Sequence, residues 1–256
     1  MIVSFLHSFQ SEWLKKKRSA ASWLVITGSF FIPLILLIAF LTEPESTYNM
    51  ARSDKYWEFL FRQSSTPMAM FLLPMGAIMA TSLVTQLEFK NNTWKQLHTT
   101  PQPLTTVFFT KLGVIMAMMM QFFVLFNVCV YLSGILPALF LKATGFPPEP
   151  YPFKFILKAN TKLFIDCLPI IALQYLLGLK FKNFLGPLGI GLGLYIASMI
   201  SLNWGRGYLI PYIYCPLNIQ RGSVDPTVNA HYWAIGYFVL ITGISYFLYL
   251  TKKEKG

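Results

Sequence analysis

The sequence predicts an all-α membrane protein with six transmembrane helices. Three observations predict it. Hydrophobic residues make up 55% of the 256 positions, and charged residues only 12%. A soluble globular chain carries about 25% charge, so this one lacks the polar residues to cover a globule. The apolar residues also fall into blocks about as long as a bilayer-crossing helix, roughly 20 residues. Intrinsic disorder is excluded by the same composition, since disordered chains are rich in charge and poor in apolar residues.

The six blocks are 20–41, 67–84, 112–132, 163–179, 184–202 and 232–250. Only Lys180-Phe181-Lys182-Asn183 separates the fourth from the fifth, which makes a tight hairpin. The first follows the basic run Lys15–Arg18. It is too long for a signal peptide and lacks a small-residue cleavage site, so it reads as an uncleaved anchor. Pro33 and Pro74 are placed to kink spans one and two.

The net charge of +11 divides along the membrane. Segments 1–19, 85–111, 180–183 and 251–256 hold 12 basic and three acidic residues in 56 positions. The opposite set, 42–66, 133–162 and 203–231, holds 9 basic and six acidic residues in 84 positions. Positive charge marks the cytoplasmic side, so both termini are expected in the cytoplasm, with 251–256 a short cytoplasmic tail. The excess charge is then a topology signal, and no nucleic-acid partner is expected. Asn91-Asn92-Thr93 matches a glycosylation acceptor, but it falls on the cytoplasmic side and is set aside.

Outside the spans, residues 1–19 carry Phe5, Leu6, Phe9 and Trp13 at helical spacing ahead of the basic run. This reads as an amphipathic helix lying on an anionic inner leaflet. Between spans two and three, Asn92 or Thr93 caps a short helix, Trp94 and Leu97 share one face of it, and Pro101 and Pro103 stop it. Its exposed apolar face requires either a protein partner or the bilayer surface. In the outer segment Lys154, Lys158, Lys162 and Asp166 recur every four residues, one stripe on a helix running into span four. Asp166 is the one acid inside an apolar block, a functional candidate by its position, with Lys162 a turn away as the expected partner. Trp204, Tyr208, Tyr212 and Tyr214 read as an outer aromatic belt or, with Asp166 and Lys162, as an outer gate. Gly189 and Gly193 in span five permit close helix approach. Methionines crowd spans two and three, where their adaptable side chains suit either core filling or a substrate path.

Several chemistries lack their residues. No G-x-x-x-x-G-K-[ST] loop, H-E-x-x-H or C-x-x-C occurs. The histidines His7, His98 and His231 lie far apart. Cys129, Cys167 and Cys215 read as small buried hydrophobes. Gly243-Ile244-Ser245 begins like a serine-nucleophile turn, but no His accompanies it at membrane depth. The chain is therefore not expected to be an enzyme, and it holds no cofactor of its own.

Glu88, Asn92, Thr93, Trp94, Lys95, Leu97, Pro101 and Lys111, set within this topology, resemble the membrane subunits of type-2 ABC exporters. Within that family the chain looks most like the short permeases of lantibiotic or bacteriocin immunity and antimicrobial peptide export. The resemblance implies that the Trp94 loop is a coupling helix docked on a separate ATPase subunit, which binds ATP and Mg. It makes residues 1–19 an elbow helix. It implies a second permease subunit, identical or related, with Gly189 and Gly193 at the contact between spans one and five. The expected activity is ATP-driven export of a hydrophobic or amphipathic peptide or lipid-like substrate from the cell membrane. The rival is a non-transporting immunity or sensor protein that captures a ligand at its outer loops.

Overall fold

The computed structural model describes residues 2–17, 19–43, 55–90, 103–140, 146–147, 149–220, 224–225 and 227–251. Among them every regular element is helical. Helix α1 spans Ile2–Lys16 and α2 spans Ala20–Thr42. Helix α3, Tyr56–Pro67, passes through a π-helical turn, Met68–Leu72, into α4, Leu73–Lys90. Then come α5, Leu104–Phe140, α6, Phe153–Lys180, and α7, Leu185–Ser201. A 3-10 turn at Gly207–Leu209 leads to α8, Tyr214–Ile219, and α9 is Ala230–Thr251.

Among the described residues, five helices are long and apolar enough to cross a membrane: Ala20–Thr42, Tyr56–Leu87, Leu104–Phe140, Phe153–Lys180 and Ala230–Thr251. The expected fifth span, 184–202, is α7, a shorter apolar helix of 17 residues. At 1.5 Å per residue it extends about 25 Å, less than the roughly 30 Å of a hydrocarbon core. The other spans outrun their apolar blocks because polar flanks continue the helix. The clearest case precedes the expected span at 67–84. There Tyr56, Trp57, Leu60, Phe61, Ser64 and Ser65 are buried along one stripe of α3, a helical face that an average over all positions conceals.

The π turn has a visible cause. Pro74 lacks an N–H and its ring would press on the carbonyl four residues back. The widened turn immediately before it, with Leu73 N–H donating to the carbonyl of Met68, relieves that conflict. The expected irregularity at Pro74 is thus a π turn one helical turn earlier.

The termini share one end of the bundle. Ser8 on α1 lies 3.3 Å from Thr110 Oγ1 near the start of α5. Tyr246 near the end of α9 hydrogen-bonds Thr105 at 2.9 Å. We call this the terminal end and the opposite one the distal end. The helix running from α3 into α4, and α6, form the interior: 61% and 67% of their most apolar stretches are buried, against 22% for both α2 and α9. The outer faces of α2 and α9 present Phe31, Leu34, Ile38, Val239, Ile244 and Phe247, the apolar surface a bilayer solvates.

The segment 202–229 departs from the expected surface belt. Tyr212, Ile213, Tyr214 and Cys215 are fully buried. Helix α8 packs against α6 and the π turn, and Cys215 lies beside Cys167 halfway along α6. The segment therefore turns back into the bundle. Tyr212 and Tyr214, which sequence assigns to an interface, are spent on an interior contact instead, while Trp204 stays exposed.

Candidate functional site

Helix α6 carries two buried polar residues that hold this re-entrant segment. Deeper toward the terminal end, Gln174 is fully buried. Its Oε1 accepts from the Tyr212 hydroxyl at 2.8 Å. Its Nε2 donates to Ser82 Oγ on α4 and to the Pro187 carbonyl on α7, both at 2.7 Å. One amide thus ties four elements together. Pro187 lies in the first turn of α7, where a missing N–H is tolerated, and its carbonyl accepts the Gln174 side-chain donor. Gly191 makes the approach possible, because a Cβ there would lie 2.6 Å from Gln174 Oε1 and 2.8 Å from Ile78. At the terminal end a Cβ on Gly178 would lie 2.1 Å from Thr85 Oγ1, so α4 and α6 are in backbone-close contact. Gln86 Nε2 closes the same side on the Phe181 carbonyl at 2.9 Å.

Nearer the distal end, Asp166 is also fully buried. Asn218 Nδ2 donates to its Oδ2 at 2.6 Å, and His231 Nδ1 lies 2.7 Å from its Oδ1. The expected partner, Lys162, is corrected to Asn218 and His231. Lys162 is exposed and acts on the carboxylate only as a nearby positive charge. The physical reason is position: the re-entrant segment and the start of α9 reach the carboxylate from inside the bundle, whereas Lys162 lies on the open side. Beside this cluster is a polar cavity of about 360 Å³, lined in part by Lys162, Asn218, Asp225, Asn229 and His231. Asp225 Oδ1 accepts from the Thr227 backbone N–H at 2.9 Å and its hydroxyl at 2.7 Å. These bonds hold the Asp225 carboxyl below its ordinary range.

Asp166 and Lys162 of the expected outer gate lie near each other, but its aromatic residues do not converge. Tyr212 is deep on Gln174. Tyr208 packs on Trp233, with ring centroids 5.1 Å apart, and Trp204 is 51% exposed. Gly189 and Gly193 have nothing within 4 Å of a Cβ position, so both face away from the described bundle, and Gly191 takes the inward face between them. Lys111 is buried in α5. Glu88 is placed only as a backbone position in α4. Asn92, Thr93, Trp94, Lys95, Leu97 and Pro101, the expected coupling loop, lie outside the described residues. Sequence reasoning passed over Gln174, Ser82, Asn218 and His231. Gln174 had a usable signal, as an amide inside an apolar span. Asn218 and His231 had none until the chain returned to α6.

At the terminal end, α1 lies along α5. Phe9 stacks with Trp13 at 6.1 Å and meets Gly113. Lys15 pairs with Glu12 and stays partly exposed. Lys16 turns inward instead of reaching a lipid surface: its Nζ sits 3.6 Å over the Trp13 ring and donates to Gln121 Oε1 at 2.9 Å. Burial lowers its pKa to about 8.

An apolar cavity of about 580 Å³ lies between α2 and α4, lined by Gly28, Phe31, Phe71, Met75, Gly76 and Met119 among others. Methionine use is divided. Met68 and Met118 fill the core, while Met75 is 40% exposed at this cavity.

Residues 8–198 match the family described as ABC-2 family transporter protein. The chain belongs to that family and is a multi-pass membrane protein, of the kind that serves as the permease component of an ABC transporter. The family implies association with an ABC ATPase subunit. No curated protein and no solved structure matches the chain.

Proposed function

We propose that this chain is the permease subunit of an ATP-driven exporter in the cytoplasmic membrane, moving a hydrophobic or amphipathic peptide or lipid-like substrate. The family match over residues 8–198 carries the reading. The apolar lining of the cavity between α2 and α4 supports the substrate class, since ligand sites for apolar molecules are largely apolar concavities. In this reading α7 supplies a sixth crossing and both termini are cytoplasmic. Two permease subunits, identical or related, meet through the outward face of Gly189 and Gly193. ATP and Mg are bound by the separate ATPase.

ATP binding closes the ATPase pair. Trp94 and Leu97, seated on one ATPase, pass that motion into α4 and α5, and the pore changes its open side. Such coupling requires contacts that differ between the two states, and a buried aromatic anchor is a common means. Trp94→Ala should leave the chain in the membrane while lowering ATPase co-purification and transport. Full ATPase coupling in that variant would sink the assignment. The polar distal cavity favours a second reading, an immunity or sensor protein that captures a ligand there. Isolation of the native complex without a nucleotide-binding subunit would select it.

A further inference from the structure

We propose that the distal polar cavity binds the headgroup of a membrane phosphatidylethanolamine, with phosphate on Lys162 and ammonium on Asp225 and His231. Three observations lead there. First, the described lining pairs one cation, Lys162, with one exposed carboxylate, Asp225. A simple anion answers only the first and a simple cation only the second, whereas a zwitterion matches both.

Second, the acceptors on the ammonium side are built. Asp225 Oδ1 is held by Thr227, which among the described residues leaves Oδ2 for a ligand. Asp166, itself 0% exposed, engages His231 Nδ1. With Nδ1–H donating to that carboxylate, Nε2 is the ring nitrogen left as an acceptor. A carboxylate behind a histidine fixes the direction of the ring and its tautomer, as it does behind metal-binding histidines. Here the N–H bonds of a primary ammonium are the complementary donors for these two acceptors.

Third, the cavity lies at headgroup level. Tyr232 and Trp233, next to His231, are 73% and 41% exposed. Such residues at a helix end favour the membrane–water interface. A headgroup at that height brings its acyl chains to the apolar outer face of α9, where Val239 and Leu240 are exposed. That continuity favours a lipid over a soluble zwitterion. The bound lipid would bridge α6, the re-entrant segment and α9.

The test is lipid retention by the full-length protein. It is reconstituted in nanodiscs of equal phosphatidylethanolamine, phosphatidylcholine and phosphatidylglycerol, then re-extracted, and the retained lipid is quantified by mass spectrometry. The expected result is several-fold enrichment of phosphatidylethanolamine. Enrichment should fall stepwise through its mono-, di- and trimethylated forms as N–H donors are lost. Lys162→Gln and Asp225→Asn, both at exposed positions, should each bring retention near the input ratio with unfolding temperature unchanged. Retention at the input ratio in the wild type, or enrichment that survives both substitutions, would overturn the proposal. Soluble glycerophosphoethanolamine should fail to displace the lipid at micromolar concentration; displacement would make the ligand a soluble zwitterion and overturn the lipid assignment. No ATPase takes part in this measurement, so its outcome is independent of the transport reading.

Discussion

Gln174 and Asp166 sit eight residues apart on α6, about 12 Å of helix, and meet the same problem in different ways. Each is a fully buried polar group in an apolar span, and each captures one part of the re-entrant segment, Tyr212 for Gln174 and Asn218 for Asp166. Gln174 is neutral and has both donors and an acceptor. Protein groups on three other elements satisfy it, and it lies far from the distal cavity. Asp166 as a carboxylate has only acceptors and carries charge. It draws a histidine and an amide toward it and lies beside a polar cavity. Backbone and side-chain polar groups in hydrocarbon must be satisfied internally. An amide permits a sealed network, while a carboxylate is easier to place near the polar edge.

That contrast sets the order of expected effects. Gln174→Leu should be the most damaging, since it leaves Tyr212 and Ser82 without their partner and frees the Pro187 carbonyl. Unmade buried bonds cost about 1–3 kcal/mol each, so a loss of about 3 kcal/mol is expected. The three native cysteines are buried, so a fluorogenic thiol dye reports unfolding on heating without added labels. Asp166→Asn keeps the shape and at least one hydrogen bond and should cost about 1 kcal/mol, in line with polar pairs in membranes. If Asp166→Asn proves the more destabilising, the charged cluster, not the amide network, fastens the segment.

Smaller changes sharpen the same comparison. Gly191→Ala pushes a methyl against the Gln174 amide and should lower the unfolding temperature. Gly193→Ala, which meets nothing within the described chain, should leave the isolated subunit unchanged. If Gly193→Ala weakens a permease dimer seen by crosslinking, that face is a subunit contact.

The smallest effect belongs to Lys16, away from both clusters. Its pKa falls from 10.5 to about 8 in the folded chain. Between those values the unfolded chain binds more protons, so docking of α1 should strengthen as pH rises from about 8 toward 10.5. Lys16→Met should flatten that dependence. Trp13 fluorescence, with the ring directly under the Lys16 ammonium, reads both.

Much of the architecture was legible because bilayer solvation imposes long apolar blocks. The helix continuing from 153 into span four is one such case: the Lys154-to-Asp166 stripe foretold a single α6. The amphipathic character of residues 1–19 was equally plain, although its apolar face serves α5 as well as any lipid surface. Within the loop at 203–231, Tyr212 and Tyr214 were misread for a definite reason. Tyr and Trp have the same composition signal whether they border a membrane or carry hydroxyls to buried acceptors. The family match, ending at residue 198, stops short of this segment.

The sequence by itself determined that the chain is a multi-pass helical membrane protein, which family it resembles, and that Asp166 is unusual. Those properties depend on local apolar content, helical spacing and motif, each readable one segment at a time. Only the tertiary structure decided that Tyr212 enters the interior, that among the described residues Gly191 and not Gly189 or Gly193 admits a neighbour, and that His231 stands behind Asp166 in place of Lys162. Those outcomes depend on which distant segments meet. Hydrogen-bond satisfaction in a medium without water selects the meeting, and no single segment carries that information.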